Sequence, residues 1–240
     1  MSRKTTQTIV FMLLRLAALA VVVPIIVVIG YIIVQGIGAI SFEFLFDMPR
    51  NGMQEGGILP AIIGTVILTI GTAVAAIPLG LAAAIYLAEY AGDTWLTRAI
   101  RVAIINLAGV PSIVYGLFGL GLFVLALRFG TSIVAASLTL GLMTLPVVIS
   151  TAEEAIRAVP SSFRIVSVSL GGTRWQTTRK IVLPQAMPGI LTGVILGLER
   201  AAGETAPILF TGAAFYLPAF PTSPLDQTMA LPYHLYVIST

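Results

Sequence analysis

Three charged residues, Glu199, Arg200 and Glu204, stand inside the apolar run GILTGVILGLERAAGETAPILFTGA. An ionised side chain in hydrocarbon is costly unless paired or hydrated, so such residues mark functional positions by default. Arg200 and Glu204 are four apart and share a helix face, which lets them pair. Either they neutralise each other and pin one helix to another, or Arg200 presents its planar fork of donors to a passing tetrahedral oxyanion. In the second reading Glu204 keeps the arginine from holding the anion too tightly, because a pathway must also release what enters it. Glu199 points elsewhere on the helix, toward a second subunit.

The other chemically informative stretch is the basic loop Glu153 to Pro184, set between apolar runs. Pro160 before SSFRIVSVSL and Gly171-Gly172 after it have the Pro-in, Gly-out asymmetry of a short helix. Phe163, Val166 and Leu170 fall on one face of that helix. Thr173-Arg174-Trp175-Gln176 is a Thr-x-x-Gln capping box that starts a second helix through Lys180 and Ile181, with Pro184 and Pro188 marking re-entry into lipid. A short helix with an apolar face held between two spans is either a docking surface for a partner or a helix lying on the lipid interface.

The elements that must position these groups are membrane spans. Hydrophobic residues make up 58% of the chain and charged ones 10%, against about 25% charged in soluble domains. A span needs about 20 apolar residues. Five candidates run from about Ile9 to Val34, Ile58 to Leu87, Ile100 to Leu127, Thr131 to Thr151 and Pro184 to Ala214. The first is too long for a signal-peptide core. Arg15 within it snorkels to the interface that holds Arg3 and Lys4. Gly109, Pro111 and Ser112 interrupt the third span, as a packing kink or as a lining of the pathway.

Lys and Arg near span ends collect on the cytoplasmic side. Arg3, Lys4, Arg98, Arg101, Arg157, Arg164, Arg174, Arg179 and Lys180 fall on one side, Arg50 and Arg128 on the other. The N-terminus and both basic loops are therefore expected in the cytoplasm, with the Gly38–Gly57 loop and the tail after Ala214 outside. That tail is too rich in proline to cross, and Met229 to Ile238 reads as an interfacial helix with Tyr233 and Tyr236 in the aromatic belt. The basic excess of +3 is explained by orientation rather than nucleic acid. With no cysteine and one histidine, His234, thiolate chemistry and Cys/His metal sites are excluded. No GxxxxGK[ST] run is present, so no ATP site belongs to the chain and it is not an enzyme by itself.

The segment LGGTRWQTTRKIVLPQAMPGI resembles the cytoplasmic EAA loop of permease subunits of bacterial ABC importers. Gly171 takes the motif's glycine, and Ile181, Leu183 and Pro184 its end. Ile165, Val166 and Ser167 stand where the family has Glu-Ala-Ala. Arg200 to Pro207, RAAGETAP, resembles the phosphate-specific permeases, as do GGILPAIIGT, IPLGLAAAIYLAEYA, LAGVPSIVYGLFGL and EEAIRAVPSSFR. The likeness covers roughly Gly56 to Pro207 and is nearer the PstA type than PstC.

The resemblance implies an all-α polytopic bundle, the type I ABC importer permease (MetI-like) fold. Residues 1–57 would hold the N-terminal span and outer loop, and 58–240 the permease domain with its coupling loop 153–184. The family has six helices, so a sixth is expected beyond residue 240. The implied function is import of inorganic phosphate by alternating access. Partners would be a second permease (PstC type), two ATPase subunits (PstB type) that carry ATP and Mg, an extracytoplasmic phosphate-binding protein (PstS type) and membrane lipid. The chain itself would hold no cofactor and no metal. Arg200, Glu204, Thr205 and Ser112 would line the pathway. Phe163, Ile165, Val166, Ser167, Leu170, Gly171 and Arg174 would couple to the ATPase in the cell (inner) membrane. Rival readings are a permease for molybdate, tungstate or sulfate, and a scaffold or sensor of phosphate status.

Overall fold

The computed structural model describes residues 3–53, 55–217 and 219–240. The side chain of Arg3, counted above among the N-terminal charges, lies outside the described residues, as do those of Thr5 and Thr6. Two compact units are present, Met1–Asp47 and Met48–Thr240.

The first unit is α1 (Arg3–Gly36), a turn of 3-10 helix, and the short α2 (Phe42–Phe46). From Gln7 to Ala39 the helical segment is long and apolar enough to cross a membrane. Apolar residues occupy all its sides, the pattern of a helix with no water-facing stripe. Ser41 caps α2 by accepting the Phe44 N–H.

The second unit opens with a two-stranded hairpin, β1 (Pro49–Arg50) against β2 (Glu55–Gly56). Then come α3 (Leu59–Ile85, closing in a π-helical turn at Tyr86–Tyr90), α4 (Trp95–Ala108), α5 (Ser112–Gly119, running on as a π-helix through Leu120–Ala126) and α6 (Ile133–Ala158). After them stand α7 (Ser161–Ser169), α8 (Arg174–Thr177, continuing through a π-helical turn at Thr178–Val182), α9 (Leu183–Ala202), α10 (Ala206–Thr211) and α11 (Leu231–Ser239). The fold is all-α apart from the hairpin.

Helix α6 is the central post, with α3 on one side and α9 on the other. Small residues set both seams. A Cβ on Gly71 would collide with Ser137, and one on Gly193 with Thr151. Close backbone approach of this kind replaces the hydrophobic drive that helices lack in lipid. Thr72, Thr139 and Thr144 donate their hydroxyls to the carbonyls four residues back, at 2.7 Å each. Their polar groups are thereby satisfied without water.

Several expectations change. The third span, expected as one run from Ile100 to Leu127, is α4 and α5 meeting at 101° across Gly109–Pro111. Pro111 removes a donor and biases Val110 away from helix, which forces the break. The last span does not begin at Pro184, since Arg174–Ala202 is one helical stretch that rises out of the loop. Pro184 comes just after the π-helical turn Thr178–Val182, so it stands within the continuous helix and does not start it. Nor does that span reach Ala214, because its helix stops at Ala202 and Gly203 caps it. Glu153 and Glu154, assigned to the loop, lie on α6. The Met229–Ile238 stretch forms a helix, α11, with His234 buried, Tyr233 packed partly on the core and Tyr236 exposed.

The N-terminal end of α6 is capped by the loop between α10 and α11. Ser132 accepts the Ala135 N–H, while the N–H groups of Ser132, Ile133 and Val134 donate to the carbonyls of Thr211, Asp226 and Pro224. The orphan donors of a helix start are met by sequence-distant carbonyls.

Candidate functional site

Two sites emerge, at different levels of the second unit. The first is built on the gap between α9 and α10. Gly203, Glu204 and Thr205 form a break of three residues between helices. Arg200 is in the last turn of α9, where a cation complements the helix dipole. Its Nε lies 3.6 Å from Glu204 Oε1, with the Arg200 side chain 50% exposed and that of Glu204 17%. Glu204 faces a small cavity whose lining includes Thr65 and Thr69 of α3. Arg200 lies near enough to Tyr115 of α5 for its charge to act on that ring. Tyr115 donates to the Leu107 carbonyl at 2.9 Å, across the α4–α5 bend. Ser112, one turn before Tyr115, starts α5 on the same bend. Thr205 starts α10, whose Pro207 and Ala206 press on Gly116 of α5.

The sequence pair Arg200–Glu204 is thus real, but it straddles a helix end instead of lying inside a span. Glu204 lies with Thr65 and Thr69 of α3 around the small cavity, while Ser112 is at the start of α5. A half-exposed guanidinium with one loose carboxylate partner can accept a second anion by its remaining donors.

The second site is the turn between α6 and α9. Helix α7 follows Pro160 and ends at Gly171, whose φ is +80°; the left-handed conformation there suits glycine alone at low cost. The capping box forms in full, with Gln176 N–H on Thr173 Oγ1 and Thr173 N–H on Gln176 Oε1. Phe163, Ile165, Val166 and Leu170 are all exposed, Leu170 at 84%. Arg174 is exposed as well and lines a cleft with Glu89, Arg164, Val168 and Thr177. Ser167 is placed differently from the others: it is buried, its hydroxyl 2.7 Å from that of Thr177, and it holds α7 against α8.

Charges that the sequence reading did not combine meet below this turn. Arg164 of α7 donates to Glu89 at 2.6 to 3.3 Å and to the carbonyls of Val159 and Ile156 at 2.7 and 2.9 Å. Arg101 and Arg157 both donate to Glu153 and both reach the Leu87 carbonyl. Glu89 sits at the end of an apolar run, and the partner at a separation of 75 residues gives no local signal of the pair.

Residues 76–233 match the family described as binding-protein-dependent transport system inner membrane component. The probable ABC transporter permease protein YqgI of Bacillus subtilis is 33% identical over 253 residues, covering 100% of this chain and 85% of that protein. The phosphate transport system permease protein PstA 1 of Mycobacterium tuberculosis is 45% identical over 154 residues, 64% of this chain and 50% of its own length. PstA of Mycobacterium leprae is 36% identical over 211 residues, 86% of this chain and 69% of its own. The chain therefore spans about half the length of the M. tuberculosis relative it matches. Apolar helices and family together make it a multi-pass membrane protein. From its break-and-bend architecture and these matches, the chain belongs to the binding-protein-dependent transport system inner membrane component family.

Proposed function

We propose that this chain is the PstA-type permease subunit of an ATP-driven importer of inorganic phosphate. It lies in the cytoplasmic (inner) membrane with its N-terminus and the α7 turn in the cytoplasm. A PstC-type permease completes the pathway, a PstS-type binding protein delivers phosphate outside, and two PstB-type subunits hold ATP and Mg. Closure of those subunits moves α7, and the membrane helices swing between inward- and outward-facing states.

The observation that carries this reading is the Arg200–Glu204 pair at the α9–α10 break, loose enough to exchange partners. The relatives named as phosphate permeases support the choice of anion. The exposed apolar residues of α7, with no chain of their own to cover them, support ATPase docking.

The test is Arg200→Gln in the assembled transporter reconstituted in vesicles. Uptake of radiolabelled phosphate should fall about 100-fold, the worth of a charged hydrogen-bonded contact of roughly 3 kcal/mol, with assembly intact. Undiminished uptake, or competition by sulfate or molybdate as strong as by phosphate, overturns the assignment.

A further inference from the structure

The cytoplasmic end of α3 is where three other elements are fastened. Its π-helical turn Tyr86–Tyr90 leaves the Leu87 carbonyl beyond the helix ladder, and Arg101 of α4 and Arg157 of α6 donate to it at 2.9 and 3.1 Å. Two residues on, Glu89 receives the fork of Arg164. Glu89 is 12% exposed and Arg164 26%, so both charges are largely out of water. Burying such a pair is worthwhile only with good geometry and saturated hydrogen bonding, and Arg164 has both, since its other donors reach the α6 end at Val159 and Ile156.

Otherwise α7 leans on α8 and the turn after it, largely through the Ser167–Thr177 contact. Arg164 is what ties it to α3 and α6. Helix α3, with Pro78 inside it, and the π-helical turn that closes it together run from Thr65 to Glu89, about 35 Å at 1.5 Å per residue. At that far end Thr65 accepts the Leu231 N–H of α11 and lines the cavity that Glu204 faces, together with Thr69. One helix and its closing turn thus have the docking turn bonded to one end and the charge-pair cavity at the other.

We infer that Glu89 and Arg164 are positioning residues, a strut through which displacement of α7 drives α3 as a rod and so changes the space around Glu204. This rests on the proposed function for its driver, the ATPase, but not for its cargo. The strut stays closed through the cycle, because Arg164 saturated by four acceptor oxygens has little to gain by letting go.

The chain has no cysteine, so spin labels can be placed without background. Val66 on α3 and Leu209 on α10 are both exposed and near the cavity. The assembled transporter carrying Val66→Cys and Leu209→Cys should show an ATP-dependent change in label separation. Glu89→Gln and Arg164→Gln should each cut that change at least about twofold and lower phosphate taken up per ATP about tenfold, and the double variant should be no worse than either single, as for two halves of one interaction. Arg164→Lys, which keeps the charge without the fork, should be intermediate. An unaltered ATP-dependent separation in either single variant, additive losses in the double, or loss of ATPase co-purification in both singles overturns the strut. A label response that fails in the variants, in a transporter that moves no phosphate, upholds the strut and overturns the substrate instead.

Discussion

Two of the molecule's guanidinium–carboxylate pairs are held in opposite ways. At the C-terminal end of α6 Arg164 meets Glu89 at 2.6 Å with two backbone carbonyls filling its remaining donors. At the α9–α10 break Arg200 stands 3.6 Å from Glu204 and is half-exposed. The difference follows from backbone. Glu89 and Arg164 lie on elements brought together by α6, whose C-terminal carbonyls face the guanidinium. Arg200 and Glu204 lie on either side of a helix stop at Gly203, so their separation follows the break and not a fixed helix face. A saturated pair transmits force; an unsaturated one can trade its partner for a ligand.

The sharpest way to break this comparison is to make the same substitution at both arginines. Arg164→Gln leaves Glu89 buried without its cation and should destabilise the protein by about 2–3 kcal/mol. That is measurable as a lower melting temperature in detergent. Arg200→Gln should leave melting nearly unchanged, since a half-exposed pair contributes about 0–1 kcal/mol. Equal melting shifts at the two positions would erase the distinction between strut and site.

The next effect concerns the post that carries both regions. Gly193 of α9 meets Thr151 of α6 so closely that a methyl group has no room, and Thr151 is itself bonded to the Val147 carbonyl at 2.8 Å. Gly193→Ala should cost about 1–3 kcal/mol by forcing the helices apart. Gly121→Ala, with open space around it, should be neutral or slightly stabilising. Thermal denaturation of the two variants side by side checks whether the seam is as tight as the geometry says.

Much of the α7–α8 turn could be read from local sequence. Pro160, Gly171-Gly172 and the Thr173–Gln176 box each act within a few residues, and the helix between them forms where they place it. The exposure of Phe163 and Leu170 followed from the same pattern, whereas the inward turn of Ser167 depends on Thr177 and could not be seen without the packing. Five apolar stretches were legible from length and composition. The 101° bend was visible only as a Gly-Val-Pro break without an angle, because the angle is set by α10 lying against Gly116. At the charge pair, spacing gave the partners but not the helix stop, since an apolar run on both sides of Gly203-Glu204 looks continuous. Glu89 escaped altogether, its partner being fixed by topology.

The cap at Thr173 offers a smaller probe of the stiff region. Thr173→Ala removes the acceptor for the Gln176 N–H, which lies at 3.2 Å, and should cost about 1 kcal/mol. Hydrogen exchange should quicken at Gln176 and Thr177 while amides around Ala201 stay protected. Exchange that spreads to Ala201 would mean that the two regions are not mechanically separable at the level of α8 and α9.

The smallest effect lies in the loop between α10 and α11. Asp226 accepts the N–H groups of Thr222 and Ser223, each at 2.8 Å, and these bonds hold its carboxyl below its ordinary value of 3.8. A carboxylate whose folded value is depressed adds stability above the unfolded value, and that stability is lost as pH falls through the folded one. The contribution is therefore complete at neutral pH and fades only below about pH 4. Because the Asp226 and Pro224 carbonyls cap Ile133 and Val134, acid should loosen the start of α6 through this loop. Hydrogen exchange at Ile133 and Val134 should quicken below that pH in the parent protein and lose its pH step in Asp226→Asn, once the intrinsic pH dependence of exchange is divided out. Glu89 and Arg164 lie at the other end of α6, so the strut should be indifferent to the same titration. A fall in coupling at acid pH that Asp226→Asn removes would show that the loop and the strut communicate through α6, which the contrast between a stiff end and a yielding one does not permit.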